Sequence, residues 1–450
     1  MTAPLYTLNA VQVLDLLKNN SLTVEDYARS LLDRIKERDN TVKAWAYLAD
    51  TTIVLSEARA LDKVPQDQRG PLHGLAIGVK DTINTKDMPA QFGSPIYQGH
   101  QSSFDSSAVA ILRAAGALIF GKTTTTEFTA TNSGPNTTNP HDPNRTPGGS
   151  SCGPAAAVAD MRVPLSLGAQ TGGSIIRPAS FTGVFAMKPT HNAISTEGQK
   201  TFSPTFDTFG FFARSVADPK LLADVFALRD DDPPQELSLE QVSVALIKTP
   251  MWESAGPGTA MAMKEAARVL TSCGASVEEV SFPPEVADVE NLKRIQKVII
   301  VGEAEASFLR EYRVDKTNLA PEIRGIVENS SNYTKQERVQ ASDTHANMRR
   351  IINNLAKKYS VVLTPSAIDE APLGLGDMGS ATFNTLWTGF HMPVINLPAF
   401  QGLHGMPVGV SLVAPRYCDQ HLLKITQTIG KALKEVAGKE GIKTDGKVRI

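Results

Sequence analysis

The chain has 450 residues with 45 basic against 47 acidic side chains, a formal net charge of −2, so it carries no global field for nucleic acid or an anionic membrane surface. Its length is enough to bury a large core, and small, weakly charged partners are favoured. Cys152, Cys273 and Cys418 are odd in number and far apart, which argues against a disulfide framework and for a reducing, cytoplasmic setting.

The opening segment has no basic stretch ahead of an apolar one, and no apolar run approaches bilayer-spanning length. Apolar positions recur at helical spacing through 8–38 (Val11, Leu14, Leu17, then Tyr27, Leu31, Ile35). The pattern breaks at Asn19-Asn20-Ser21 and restarts at Thr23, a good N-cap, so two helices are predicted. From 75 to 247 the pattern becomes short apolar runs between glycines and prolines: 75–79, 117–121, 163–169, 184–187 and 242–247, with a helical stretch at 107–116. The acidic, proline-rich 230–238 marks a surface junction, and 258–350 reads as helical and charged. Strand patterns return at 361–365, 393–397 and 407–414, and a final helix begins near Asp419. Alternating strands and helices predict an α/β fold. It is read as one large discontinuous domain over 1–450, with a central mixed sheet covered by helices on both faces. Its parts are N-terminal helices (1–70), a first core section (71–247), a helical, substrate-shaping insertion (250–350) and a C-terminal core section (360–450).

Two segments stand out in the same way. RTPGGSSCGPAAA (145–157) and LGAQTGGSIIRPAS (167–180) each place a glycine-flanked serine before a small-residue helix start. Alone, either is a tight turn with a capping serine. As a pair 24 residues apart they point to chemistry, and the successive N–H groups of Thr171, Gly172, Gly173 and Ser174 form a candidate oxyanion hole. A nucleophilic serine needs a base. Lys80, at the end of the apolar run 75–79, is the candidate: burial makes an ammonium shed its proton, and strand ends at the carboxyl edge of an α/β sheet are where sites sit. Without that context, a strand-end lysine reaching to water is the commoner arrangement.

GLAIGVKD, TPGGSSCGPAAAVA and GAQTGGSIIRPAS, in this order, resemble the lysine, first-serine and nucleophile segments of the amidase signature family. The opening helices and the closing NLPAFQGLHGMPVGVSLVAPRYCDQHLL resemble that family's ends. The resemblance implies Lys80 as base, Ser150 as bridging serine after a cis peptide, and Ser174 as nucleophile of a C–N hydrolase without metal or cofactor. Ser150 then relays a proton between Ser174 and Lys80, and the reverse relay protonates the leaving amine. The family commonly has aspartate where Gln170 stands and arginine where Ile176 stands; here the arginine is Arg177. That leaves the usual salt-bridge scaffold beside the nucleophile without its partners. Ser151, Gln170 and Arg177 are expected to support the triad, Ser151 by steadying the lysine or the Ser150 turn.

Other motifs fail their context. GALIFGKT (116–123) fits the phosphate-loop expression, but Ala117–Phe120 read as strand where a flexible loop is needed. GSSCG (149–153) fits the nucleophile elbow with Ser151 and His391, His404 or His421 as partners, yet a polar, proline-rich stretch precedes it where a buried strand is required. His141 and His191 lie in polar loops, and no cysteine or histidine pair has metal-ligand spacing, so no metal is expected. Phe383, Trp387 and Phe390 are read as pocket-lining candidates, with core as the equal alternative. The expected activity is hydrolysis of a small, neutral, partly hydrophobic amide, with no nucleic acid or membrane partner and a homodimer as a compatible assembly. A carbamate (urethane) or aryl-ester or anilide hydrolase with the same triad is one alternative. Another is a glutamine-hydrolysing amidotransferase subunit that works with a partner. A silent binding protein is disfavoured because all three triad positions are filled.

Overall fold

A computed structural model describes residues 3–440. Asn9 and Thr23 cap the helices Ala10–Lys18 and Val24–Val42 by accepting the N–H of Gln12 and Asp26. Asn20 takes φ +52° between them, a left-handed turn that asparagine tolerates. Eleven strands follow: β1 (Trp45–Leu48), β2 (Ala76–Lys80), β3 (Leu118–Thr123), β4 (Leu165–Gln170), β5 (Phe185–Lys188), β6 (Thr208–Ala213), β7 (Ser243–Leu246), β8 (Ser276–Glu279), β9 (Val361–Pro365), β10 (Val394–Gln401) and β11 (Pro407–Val413). They form one sheet in the order β1-β3-β2-β4-β6-β5-β10-β11-β9-β7-β8. It is mixed: β2 runs parallel to β3 and β4, and β7 parallel to β8 and β9, while the β4–β6–β5–β10–β11–β9 run is antiparallel throughout.

Every residue of β2, β3, β4, β6 and β11 is buried, which accounts for the near-continuous apolar runs in the sequence. The predicted α/β architecture is the one observed. Pairing of β5 with β10 joins the two halves of the chain, Val394 opposite Lys188 and Asn396 opposite Ala186.

Three strands were not predicted. β8 lies inside the stretch read as helical; only one of its residues escapes full exposure, so it has no apolar period to detect. β1 is a short edge strand, and β6 follows a turn whose polar residues hide its start. The helices Pro257–Ser272, Pro284–Ala287, Val289–Ser307, Leu309–Asp315, Pro321–Val327 and Lys335–Ala356 account for most of the rest of 258–350. No helix among the described residues is long and apolar enough to cross a membrane.

Phe383, Trp387 and Phe390, read as pocket candidates with core as the equal alternative, lie in the main core. Trp387 packs edge-on to Phe282 and Phe390 (ring centroids 5.9 and 6.4 Å), and Phe390 stacks on His345. Trp387 lies within the helix Thr385–Gly389, and Phe390 caps its C-terminal end. Phe390→Ala should therefore cost about 3–5 kcal/mol of unfolding free energy in a denaturant titration. A stable variant with an altered substrate range would return the ring to the site.

Candidate active site

The parallel strands β2, β3 and β4 end along one edge of the sheet, and the candidate residues gather there. Lys80 closes β2 and is fully buried. Its Nζ donates to Ser150 Oγ at 2.8 Å and to the Ala169 carbonyl at 3.2 Å. The Gly149–Ser150 peptide is cis. Ser151 donates to the same Ala169 carbonyl at 3.2 Å, so it shares an acceptor with Lys80, and the helix Cys152–Ala159 begins immediately after it.

The second serine lies on the loop from β4 to the helix Ile176–Thr182. Gln170, where the family commonly has aspartate, organises this loop without a charge. Its Oε1 accepts the N–H groups of Ile175 (2.7 Å) and Ile176 (3.0 Å), and its Nε2 donates to Thr388 Oγ1 at 2.9 Å. Thr388 in turn donates to the Gly172 carbonyl at 2.7 Å. Gly173 must be glycine, since a Cβ there would fall 2.5 Å from Asn384 Oδ1. With the carbonyls and flanks held this way, the N–H groups of Gly172, Gly173 and Ser174 have no acceptor among the described residues, and Ser174 Oγ likewise has none.

Arg177 connects the two serine segments. Its guanidinium donates to the carbonyl of Gly149, the residue on the N-terminal side of the cis bond, at 2.6 Å, and to the Gly379 carbonyl. The displaced arginine thus serves as a strut between backbone carbonyls, where a salt bridge was the family expectation. Met378 covers Gly149 and Gly134: a Cβ at either glycine would fall 2.8 Å from its side chain. Thr171 donates to Asp207 Oδ1 at 2.6 Å, while Asp207 Oδ2 accepts the N–H of Phe202 (2.7 Å) and Ser203 (3.1 Å). Asp207, Thr388, Asn384 and Met378 were not found from sequence. Each is remote in the chain from the serine it serves, and none sits in a local motif.

Burial is the main electrostatic force here. It lowers the Lys80 pKa to about 7, with Arg177 acting in the same direction and Cys152 and Asp207 opposing. It raises Asp207 to about 6 against the hydrogen bonds from Thr171, Phe202 and Ser203. Lys80 is therefore available in both protonation states near neutrality. The structure shows Lys80 hydrogen-bonded to Ser150, and nearby a loop whose Ser174 hydroxyl and three N–H groups have no partner among the described residues.

The histidines that a different triad would need are engaged elsewhere. His141, His191, His391 and His421 face the carbonyls of Thr182, Pro204, Thr205 and Ser360, and His404 is paired with Glu370. Ser151 is buried, and the segment Ala117–Phe120 of the phosphate-loop look-alike lies in or against β3.

The model of the Amidase family matches residues 26–423. The chain belongs to the Amidase family. A glutamyl-tRNA(Gln) amidotransferase subunit from Salinispora arenicola is 31% identical, over 95% of this chain and 98% of its own. A crystal structure described as an amidase superposes with a TM-score of 0.82 at 28% identity, covering 95% of this chain and 100% of that one. The corresponding glutamyl-tRNA(Gln) amidotransferase subunit of Thermotoga maritima superposes at 0.79 with 26% identity and 96% coverage of both chains. The protein is an enzyme of this family, acting on C–N bonds.

Only the neutral amine of Lys80 can accept a proton. Turnover should therefore climb about tenfold per pH unit up to about pH 7 and level off above it. A pH profile of kcat/KM checks this; a flat profile from pH 5 to 8 would remove Lys80 as the base.

Proposed function

We propose that the protein hydrolyses the C–N bond of a small neutral amide through an acyl-enzyme on Ser174. The observation that carries this is the 2.8 Å contact between Lys80 Nζ and Ser150 Oγ at a fully buried lysine whose pKa lies about 7. In this reading Ser174 Oγ attacks the carbonyl carbon, its proton passes to Ser150 Oγ, and the Ser150 proton passes to Lys80 Nζ. The tetrahedral oxyanion is held by the N–H groups along Thr171–Ser174, each such donor contributing about 3 kcal/mol in comparable sites. Collapse breaks the C–N bond, and the relay run in reverse protonates the departing amine, which is otherwise a poor leaving group. Water then attacks the Ser174 ester by the same route, releasing the acid and restoring the serine.

A neutral acyl group is favoured by the commitment of Arg177. A substrate carboxylate in its reach would have to displace the Gly149 and Gly379 carbonyls. The three rings at 383, 387 and 390 lie in the core, so the hydrophobic preference rests on the 250–340 insertion rather than on them. Carbamates, aryl esters and anilides pass through the same tetrahedral species and belong to the same reading.

A second reading is favoured by one observation: the Salinispora and Thermotoga relatives are both amidotransferase subunits that carry the glutamyl-tRNA(Gln) name. In it the chain hydrolyses glutamine and passes ammonia to a partner protein. A panel of aliphatic, aryl and amino-acid amides with carbamates and anilides, run on the purified chain without ATP, separates the two. Turnover of simple amides by the chain alone supports the first; turnover of glutamine only with an added partner installs the second. In either case Ser174→Ala should abolish turnover and Lys80→Ala should nearly do so, with circular dichroism unchanged. A Ser174→Ala protein that retains full activity on an anilide would defeat both.

A further inference from the structure

The turn 202–207 is held from three sides by residues distant in sequence. On the side of the site, Asp207 accepts the Thr171 hydroxyl with one oxygen and the N–H groups of Phe202 and Ser203 with the other. On the opposite side, Glu303 of the helix Val289–Ser307 accepts the hydroxyls of Ser203 and Thr205 and the Thr205 N–H, the last at 3.1 Å. Behind it, His191 and His391 stack with ring centroids 4.0 Å apart. Their Nε2 atoms face the carbonyls of Pro204 at 2.9 Å and Thr205 at 2.8 Å. A carbonyl can only accept, so both imidazoles carry a proton on Nε2. Nearly every polar group of the turn thus has an assigned partner, and the turn lies between the helix and Asp207 in one chain of hydrogen bonds.

Asp207 is in direct contact with the loop that presents Ser174. Thr171 is the first residue after β4, and its hydroxyl makes no hydrogen bond among the described residues other than the 2.6 Å one to Asp207. The three N–H groups without acceptors follow it directly. Those donors act on a developing oxyanion only if they are held in place, because stabilisation by fixed dipoles falls steeply with displacement. We propose that Glu303 and Asp207 are positioning residues that act in series: Glu303 fixes the 202–207 turn to the Val289–Ser307 helix, and Asp207 fixes Thr171 and the N–H row to that turn. The inference rests on the reading of Ser174 as nucleophile. It makes the helical segment after β8 part of the apparatus that sets the rate, in addition to any contact it makes with substrate.

A carboxylate is required at 303 for a geometric reason. Three donors converge on its two oxygens, whereas a glutamine offers one acceptor and turns an NH2 toward groups that are themselves donors. Glu303→Gln therefore loosens the turn without changing side-chain size. At the other end, Thr171→Val removes the hydroxyl while keeping the branched shape and every backbone N–H.

The test uses a fluorophosphonate probe on the full chain, since its phosphonyl oxygen takes the place of the carbonyl oxygen and no natural substrate is needed. Glu303→Gln, Asp207→Asn and Thr171→Val should each lower kinact by about tenfold or more while KI stays within about twofold. The Glu303→Gln/Asp207→Asn double variant should be no slower than Asp207→Asn alone, as residues acting in series require. Unchanged kinact in Glu303→Gln or Thr171→Val overturns the proposal, and so does a double variant whose losses multiply, which marks two independent packing effects. Should Glu303→Gln not fold, Thr205→Val removes its partner from the other side and replaces it in the cycle. Ser174→Ala run in parallel separates the two levels: labelling of that variant refutes the nucleophile assignment, whereas loss of labelling with normal kinact in the other variants refutes only the positioning role.

Discussion

The ammonium of Lys80 is buried at the end of a central strand with a hydroxyl and a carbonyl as its direct acceptors, and the site is arranged around that fact. No carboxylate among the described residues touches it, so burial rather than ion pairing sets its proton affinity. A carboxylate in contact would favour the charged amine. Its neighbour in the chain makes the contrast: Asp81 takes the buried Lys122 as partner at 3.2 Å, one residue away from a lysine that has none. Of the three fully buried lysines in the sheet, Lys80, Lys122 and Lys188, only Lys122 has a carboxylate in contact among the described residues, and burial lowers both Lys80 and Lys188 to about 7.

Beside Ser174, Gln170 and Arg177 are held by hydrogen bonds rather than by ion pairs. Gln170 gathers two N–H groups and a hydroxyl, and Arg177 bridges carbonyls. The amide oxygen of Gln170 accepts both N–H groups without adding a charge to the site. The substitutions beside Ser174 are therefore coherent with each other: a neutral acceptor at 170 and an arginine aimed away, at backbone.

Much of this was legible in the sequence. Buried parallel strands announce themselves as apolar runs, and β2, β3 and β4 were located within a residue or two because burial on both faces leaves no polar alternation to confuse. Lys80, Ser150 and Ser174 stood in glycine-rich or strand-end contexts whose local chemistry is unusual. What stayed hidden was either exposed, as β8, or remote. Asp207 is 36 residues from Thr171 and Thr388 is 216 from Gly172, and nothing in the local composition around either says what it will touch. The aromatic trio 383–390 was ambiguous for the opposite reason, because a ring in a core and a ring in a pocket have the same sequence signature.

The pairing of β5 with β10 has a consequence for the order in which the molecule is built. Lys80, Ser150 and Ser174 all leave the ribosome within the first half of the chain. The groups that hold the Ser174 loop open, Asn384 and Thr388, sit just ahead of β10 and arrive only after the central sheet has waited for its second half. A nascent chain therefore carries these three residues long before the side chains that hold the Ser174 loop exist, and a chain that stops short of residue 384 lacks both the Thr388 bond to the Gly172 carbonyl and the Asn384 packing on Gly173.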